Sequence, residues 1–265
     1  MKQILTIALF FLFTLGLCAK HQETQTHILV LTERGGQHEG FVKEALSWLN
    51  DYSKQYQTKF DVVNDTKSIN DSSLAKYKVL LQLNYPPYNW TDEAKQAMEH
   101  GMKDGTIGWI GFHHASLLGE FDGFPLWQWA SRFMGNITFQ NYVAETCDGR
   151  VVVERSDHPI FRGVSSQFTL PKDEWYTYNQ SPRKNVTVLA HVDEDSYSTN
   201  TSIRMGDHPV IWTNERVKAR NVYFQFGHHA DLFQSEDFCK MLSNAIQWAS
   251  GPSKWFPRCN ALVLH

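Results

Sequence analysis

An open α/β sheet, mainly parallel and covered by helices on both faces, is the fold this sequence predicts. Three observations carry that expectation. Short apolar, β-branched runs are bounded by turn residues, apolar patterns of helical period lie between them, and the two alternate through the first half of the chain.

His27–Thr32 is the first such run, and the turn Arg34-Gly35-Gly36 follows it. Phe41, Ala45, Leu46, Trp48, Leu49 and Tyr52 recur at helical spacing and predict a helix from Gly40 to Ser53. Phe60–Val63 reads as a second strand. Lys78–Leu83 reads as a third and ends at the turn-rich Asn84-Tyr85-Pro86-Pro87-Tyr88. Thr91 is an N-cap candidate, with Asp92 and Glu93 placed to complement the helix dipole, and its helix runs to about Gly101. Thr106–Phe112 is the fourth strand.

The second half has longer loops and the strand runs Arg150–Glu154, Val186–His191, Pro209–Thr213 and Asn221–Phe226. An amphipathic helix over Glu236–Ser250 closes the pattern. No repeat or low-complexity linker divides the chain, so one domain is expected over residues 20–252, followed by a tail, 253–265.

At 265 residues and 42% hydrophobic, the chain can bury one large α/β core. A net charge of −3 and scattered lysines and arginines argue against a nucleic-acid partner. Lys2, the apolar run Ile4–Leu17 and the small residues Cys18-Ala19 read as a signal peptide over residues 1–19. The chain is therefore expected to be exported, to the periplasm or the exterior if the source is bacterial, with no membrane insertion after cleavage. Cys18 also offers a lipid anchor, although Leu17 stands where a bacterial lipoprotein signal has Gly, Ala or Ser. Cys147, Cys239 and Cys259 are too few for a disulfide scaffold and show no metal-ligand spacing.

Chemistry is expected in three histidine-bearing turns. Gln37-His38-Glu39 follows the first strand, His113-His114 the fourth, and Gly227-His228-His229 the last. Open α/β sheets bind ligands at the carboxyl ends of their strands, so these turns are placed to share one small-molecule site. One histidine of each adjacent pair is expected to face it, because neighbouring side chains diverge on extended backbone.

Several segments together resemble the ThuA-like (trehalose-utilisation) family. They are Gly108-Trp109-Ile110-Gly111-Phe112-His113-His114-Ala115, then Asp157-His158-Pro159-Ile160 through Asp173-Glu174-Trp175-Tyr176. His208–Trp212, Arg220–His228 and Ile246-Gln247-Trp248-Ala249 complete the set, which spans nearly all of Thr26–Gly251. The resemblance implies a flavodoxin-like fold of the class I glutamine amidotransferase kind. In those enzymes a cysteine nucleophile follows a strand where this chain has His113. Cys147 and Cys239 lie outside that turn, so glutamine hydrolysis is not expected.

What the resemblance implies instead is carbohydrate chemistry on a disaccharide or keto-sugar. His113, His228 and Glu174 are the candidate catalytic groups, since imidazole exchanges protons near neutral pH and a carboxylate orients it. His38, His114, Asp173, Trp175, Tyr176 and His229 are candidate substrate contacts, the aromatic rings by stacking on a sugar. The same histidines and carboxylate also suit a divalent metal such as zinc. Two alternatives stand beside an enzyme: a non-catalytic sugar-binding module, and an amidotransferase-like scaffold that serves as an interaction partner.

Overall fold

The computed structural model describes residues 25–121, 123–143 and 146–251. The expected signal peptide with Cys18, and the tail with Cys259, lie outside these residues. No described helix is long and apolar enough to cross a membrane.

The chain opens as the sequence pattern requires. Strand β1 (His27–Thr32) leads into α1 (Glu39–Tyr56), and β2 (Lys59–Val63) returns beside β1. A short helix, α2 (Asp71–Leu74), precedes β3 (Val79–Leu83), α3 (Asp92–Asp104) and β4 (Gly108–Phe112). Next come α4 (Gln128–Phe133), β5 (Phe139–Tyr142), β6 (Cys147–Val153), β7 (Gln167–Asp173) and β8 (Tyr176–Tyr178). The last elements are β9 (Thr187–Asp193), β10 (Pro209–Thr213), β11 (Asn221–Phe224) and α5 (Glu236–Ala249).

Nine strands form one sheet in the order β2-β1-β3-β4-β11-β10-β9-β6-β7, and β5 pairs with β8 in a separate two-stranded ribbon. From β2 to β11 all neighbours are parallel, and from β11 to β7 all are antiparallel. Only β10 and β6 therefore run against the rest, which leaves a mixed sheet with most strands in one direction. The parallel half matches the alternation in the sequence. The antiparallel half comes from strands that follow one another through loops without helical crossovers.

Side chains alternate across the sheet because the strand period is two. Ile28 and Val30 of β1 join α1 and α5 in one core, while Leu29 and Leu31 join α3 and α4 in the other. A register shift around Ile211 breaks the alternation in β10, so that Val210 and Ile211 both fall in the first core. Helices thus cover both faces, and the loops at the carboxyl ends of the parallel strands remain to build a site. Thr91 caps α3 by accepting a hydrogen bond from the Ala94 amide at 3.3 Å.

Candidate functional site

His38 stands at the N-cap position of α1, just beyond β1. His113 follows β4, and His228 lies beyond the end of β11. Glu174 sits between β7 and β8. Because β7 runs in the same direction as the parallel strands, its end also falls at their carboxyl edge. One ligand atom from each of these four residues lies within 4.8 Å of the other three.

Backbone geometry aims these groups. His113 has φ of 43°, a left-handed conformation that strains a residue carrying a Cβ. Hydrogen bonds hold it there: its carbonyl accepts from the Tyr223 hydroxyl at 2.9 Å and from Ser116 Oγ at 3.1 Å. Gly227, at φ 148°, passes so close that an added Cβ would lie 3.1 Å from the His113 Cβ. Asn84, after β3, donates through Nδ2 to the Gly227 carbonyl at 2.8 Å and ties the same turn to a third strand.

The hydrogen-bond partners assign the ring protons. His113 Nδ1 faces the Gln225 carbonyl oxygen at 2.9 Å, which only accepts, so Nδ1 carries the proton and Nε2 a lone pair. The Tyr176 hydroxyl donates to that Nε2 at 2.9 Å. His38 Nδ1 faces Glu33 Oε2 at 3.4 Å, which leaves its Nε2 as an acceptor 3.0 Å from His228 Nδ1. Glu174 Oε2 is 3.4 Å from both His113 Nε2 and His228 Nδ1. Of the four inward-facing atoms three are acceptors, and the protons they meet are the one on His228 and that of the Tyr176 hydroxyl.

Electrostatics follow from this arrangement. Burial pushes the His113 pKa down to about 3, so its ring is neutral. Burial works against ionisation of Glu174, yet the proton that His228 presents to it holds its carboxyl well below the usual range. For His228, burial opposes the charge but Glu174 prevails and raises the pKa. His38 is lowered by burial. Buried Asp173 is pushed up to about 7 by desolvation, against backbone hydrogen bonds that favour its charge.

The donor set fits a divalent metal. Ligand atoms around a tetrahedral ion with bonds of about 2.0–2.1 Å lie about 3.3 Å apart, close to three of the six separations here, at 3.0, 3.4 and 3.4 Å, all six lying within 4.8 Å. A metal ion would take the place of the His228 Nδ1 proton and of the Tyr176 hydrogen bond to His113 Nε2. Two of the three histidines also have the outer partner that metal-bound imidazoles use, Gln225 for His113 and Glu33 for His38.

The other expected contacts divide. His114 Nδ1 lies 3.0 Å from Glu33 Oε2, and its ring centroid is 4.1 Å from that of His38, so it borders the cluster. Tyr176 brings its hydroxyl to His113, although its ring is buried. Trp175 is fully buried, with Nε1 donating to the Cys147 carbonyl at 3.2 Å and its ring against Tyr197. It is a core residue and no sugar contact. Asp173 accepts the amides of Glu174, Gly227 and His228 at 2.9, 3.0 and 3.4 Å. Those bonds occupy its carboxylate, so it positions the site and does not touch substrate. His229 points away and accepts the Asp231 amide at 3.2 Å, capping a short 3-10 turn. Glu33, which the sequence reading passed over, has one available signal: it stands one residue beyond the end of β1.

A doubly wound sheet with an imidazole and carboxylate cluster at its carboxyl edge, and a histidine at the tight turn after β4, defines an amidotransferase-like fold without a thiol in the nucleophile position. Within that class the chain belongs to the ThuA family, described as trehalose utilisation, whose model matches residues 27–249. A ThuA-like protein from Bacteroides uniformis is 25% identical with a TM-score of 0.77, covering 90% of this chain and 99% of its own. One from Parabacteroides merdae is 14% identical with a TM-score of 0.64, covering 89% and 94%. The glutaminase domain of a Trypanosoma brucei CTPS, at 10% identity, shares the fold with a TM-score of 0.52, covering 85% and 94%. No protein among those of curated function matches the sequence.

Proposed function

We propose that this chain is a metal-dependent enzyme of carbohydrate catabolism, in which His38, His113, His228 and Glu174 hold a divalent cation of the zinc class. The observation that carries the reading is the convergence of three imidazole nitrogens and one carboxylate oxygen within 4.8 Å of one another. The family's description as trehalose utilisation supports a sugar substrate. When bound, such an ion supplies a Lewis acid for a sugar carbonyl or hydroxyl oxygen. The chain's own residues supply the rest. Glu33 and the Gln225 carbonyl fix the His38 and His113 tautomers. Tyr176 stays protonated, because burial and the nearby carboxylates raise its pKa well above the phenol range. With the His113 Nε2 lone pair given to a cation, the Tyr176 O–H that now meets it is left to donate to a substrate oxygen. Glu33, His114 and Glu174, whose side chains are 23%, 15% and 12% exposed, are where a substrate would reach the cluster.

The test is zinc titration by calorimetry into chelator-treated protein, followed by turnover of a keto-disaccharide. One ion is expected to bind per chain, with activity lost on chelation and restored by metal. His38→Ala and His228→Ala each weaken binding by at least about 100-fold, more than the loss of an outer partner would cause. A folded protein that binds no divalent metal would overturn the reading.

A further inference from the structure

The opposite edge of the sheet, where β10 ends and β11 begins, carries a cavity of about 580 Å³. Thr213 and Arg220 line it from the strand ends, with His158, Lys218 and Trp248 beside them. A second cavity of about 200 Å³ shares Arg220, Trp248 and Pro159. None of the metal-cluster residues belongs to either wall.

Arg220 is the unusual member. Only 8% of it is exposed, yet no ion pair joins it to a carboxylate among the described residues, and its Nε has no hydrogen-bond partner. Its Nη1 donates to the Trp248 carbonyl at 2.6 Å, and its Cζ lies 5.8 Å from the centre of the Trp248 ring. The negative end of the α5 dipole answers part of the charge. A buried cation without a full counter-charge is costly, and an anion in the cavity would offset that cost.

Two further donors face the same space. His158 Nδ1 accepts from the Ile160 amide at 3.4 Å, so the neutral ring carries its proton on Nε2. Its ring centroid stands 4.7 Å from that of Trp248. Lys218 is exposed at the rim. Arg155 and Arg216 also line the wall, against the carboxylates of Asp157 and Glu215, which leaves cationic side chains in excess. Arg155 is paired with Asp157 at 3.1 Å, and Arg216 is turned to the neutral Asn185 side chain and Lys184 carbonyl, so no ion pair among the described residues offsets Arg216, Arg220 or Lys218, and Arg220 is the buried one.

We propose that this cavity is a second binding site, for a small oxyanion such as a phosphate or carboxylate on a sugar-sized molecule. Its charge meets Arg220 and Lys218, and its apolar face lies on Trp248. The site is separate from the metal cluster and does not depend on the reading given to it.

The test is calorimetric titration of the full chain with inorganic phosphate, glucuronate and glucose. Saturable 1:1 binding is expected for phosphate or glucuronate and none for glucose. Arg220→Gln weakens it by about 10–100-fold, as expected for a lost charge-assisted hydrogen bond. Lys218→Glu, a change at an exposed side chain that leaves folding untouched, lowers affinity in the same direction. His38→Ala leaves it unchanged. Absence of saturable anion binding, binding that survives Lys218→Glu, or binding lost in His38→Ala would each overturn the proposal.

Discussion

Asp173 shows how much of the site rests on groups that never meet a substrate. Its carboxylate accepts three backbone amides, two from the turn that carries His228 and one from Glu174 itself. It therefore sets the separation of two cluster members. Asp173→Ala leaves three buried donors without an acceptor, and each unsatisfied donor costs about 1–3 kcal/mol. Urea unfolding is expected to show a loss of at least about 2 kcal/mol, with zinc affinity falling alongside. A variant as stable as the parent would show that water takes over these amides. Glu33 acts at the same scale through His38 and His114. No pattern surrounds it in the sequence; a lone acid in a turn acquires its role only when α1 and the turn after β4 bring two histidines to it.

At the scale of elements, legibility follows periodicity. Strands β1, β3, β4, β10 and β11 are continuous apolar runs because both of their faces are covered, and the sequence pattern finds them. Strand β7 alternates buried and exposed residues around Phe168 and Leu170 and contains Pro171 and Lys172, so its signal is faint. Strand β8 has three residues, and its burial comes from packing against the site. Glu174 and Tyr176 flank that junction, which is why their placement was legible through family resemblance and not through local pattern. Helix α3 is the opposite case, with its start written in Thr91-Asp92-Glu93. Thr91→Ala is expected to cost about 1 kcal/mol in denaturant unfolding and to leave metal binding unchanged.

The whole molecule joins a parallel half, which carries three histidine turns, to an antiparallel half that returns Glu174 to them. Arg183 ties that second half together, donating to Glu154 at 2.7 and 2.9 Å and to Asp207 at 2.6 Å. These hydrogen bonds hold both carboxyls below their ordinary values of 4.5 and 3.8. A carboxylate whose pKa is depressed on folding stabilises the protein above its unfolded pKa and loses that contribution as the folded pKa is approached from above. Thermal stability is therefore expected to fall as pH drops below about 5. The fall should be smaller in Arg183→Gln, as measured by melting scans from pH 7 to 3. The side chains are partly exposed, so the difference is modest. Equal pH profiles would show that the bridge is fully screened.

The sequence by itself determined the strand and helix alternation of the first half, the Thr91 cap of α3 and the location of three histidines after strands. These are properties of period and nearest neighbours, and they survive without tertiary context. Only the tertiary structure decided which histidines converge. His229 turns out to cap a 3-10 turn and Trp175 to fill the core, although each adjoins a residue that enters the site. The physical reason is that adjacent side chains diverge by the local backbone angle, while convergence within a few ångströms depends on how distant strands pack. His113 and Gly227 are 114 residues apart in sequence (227 − 113) and are brought into contact by the pairing of β4 with β11.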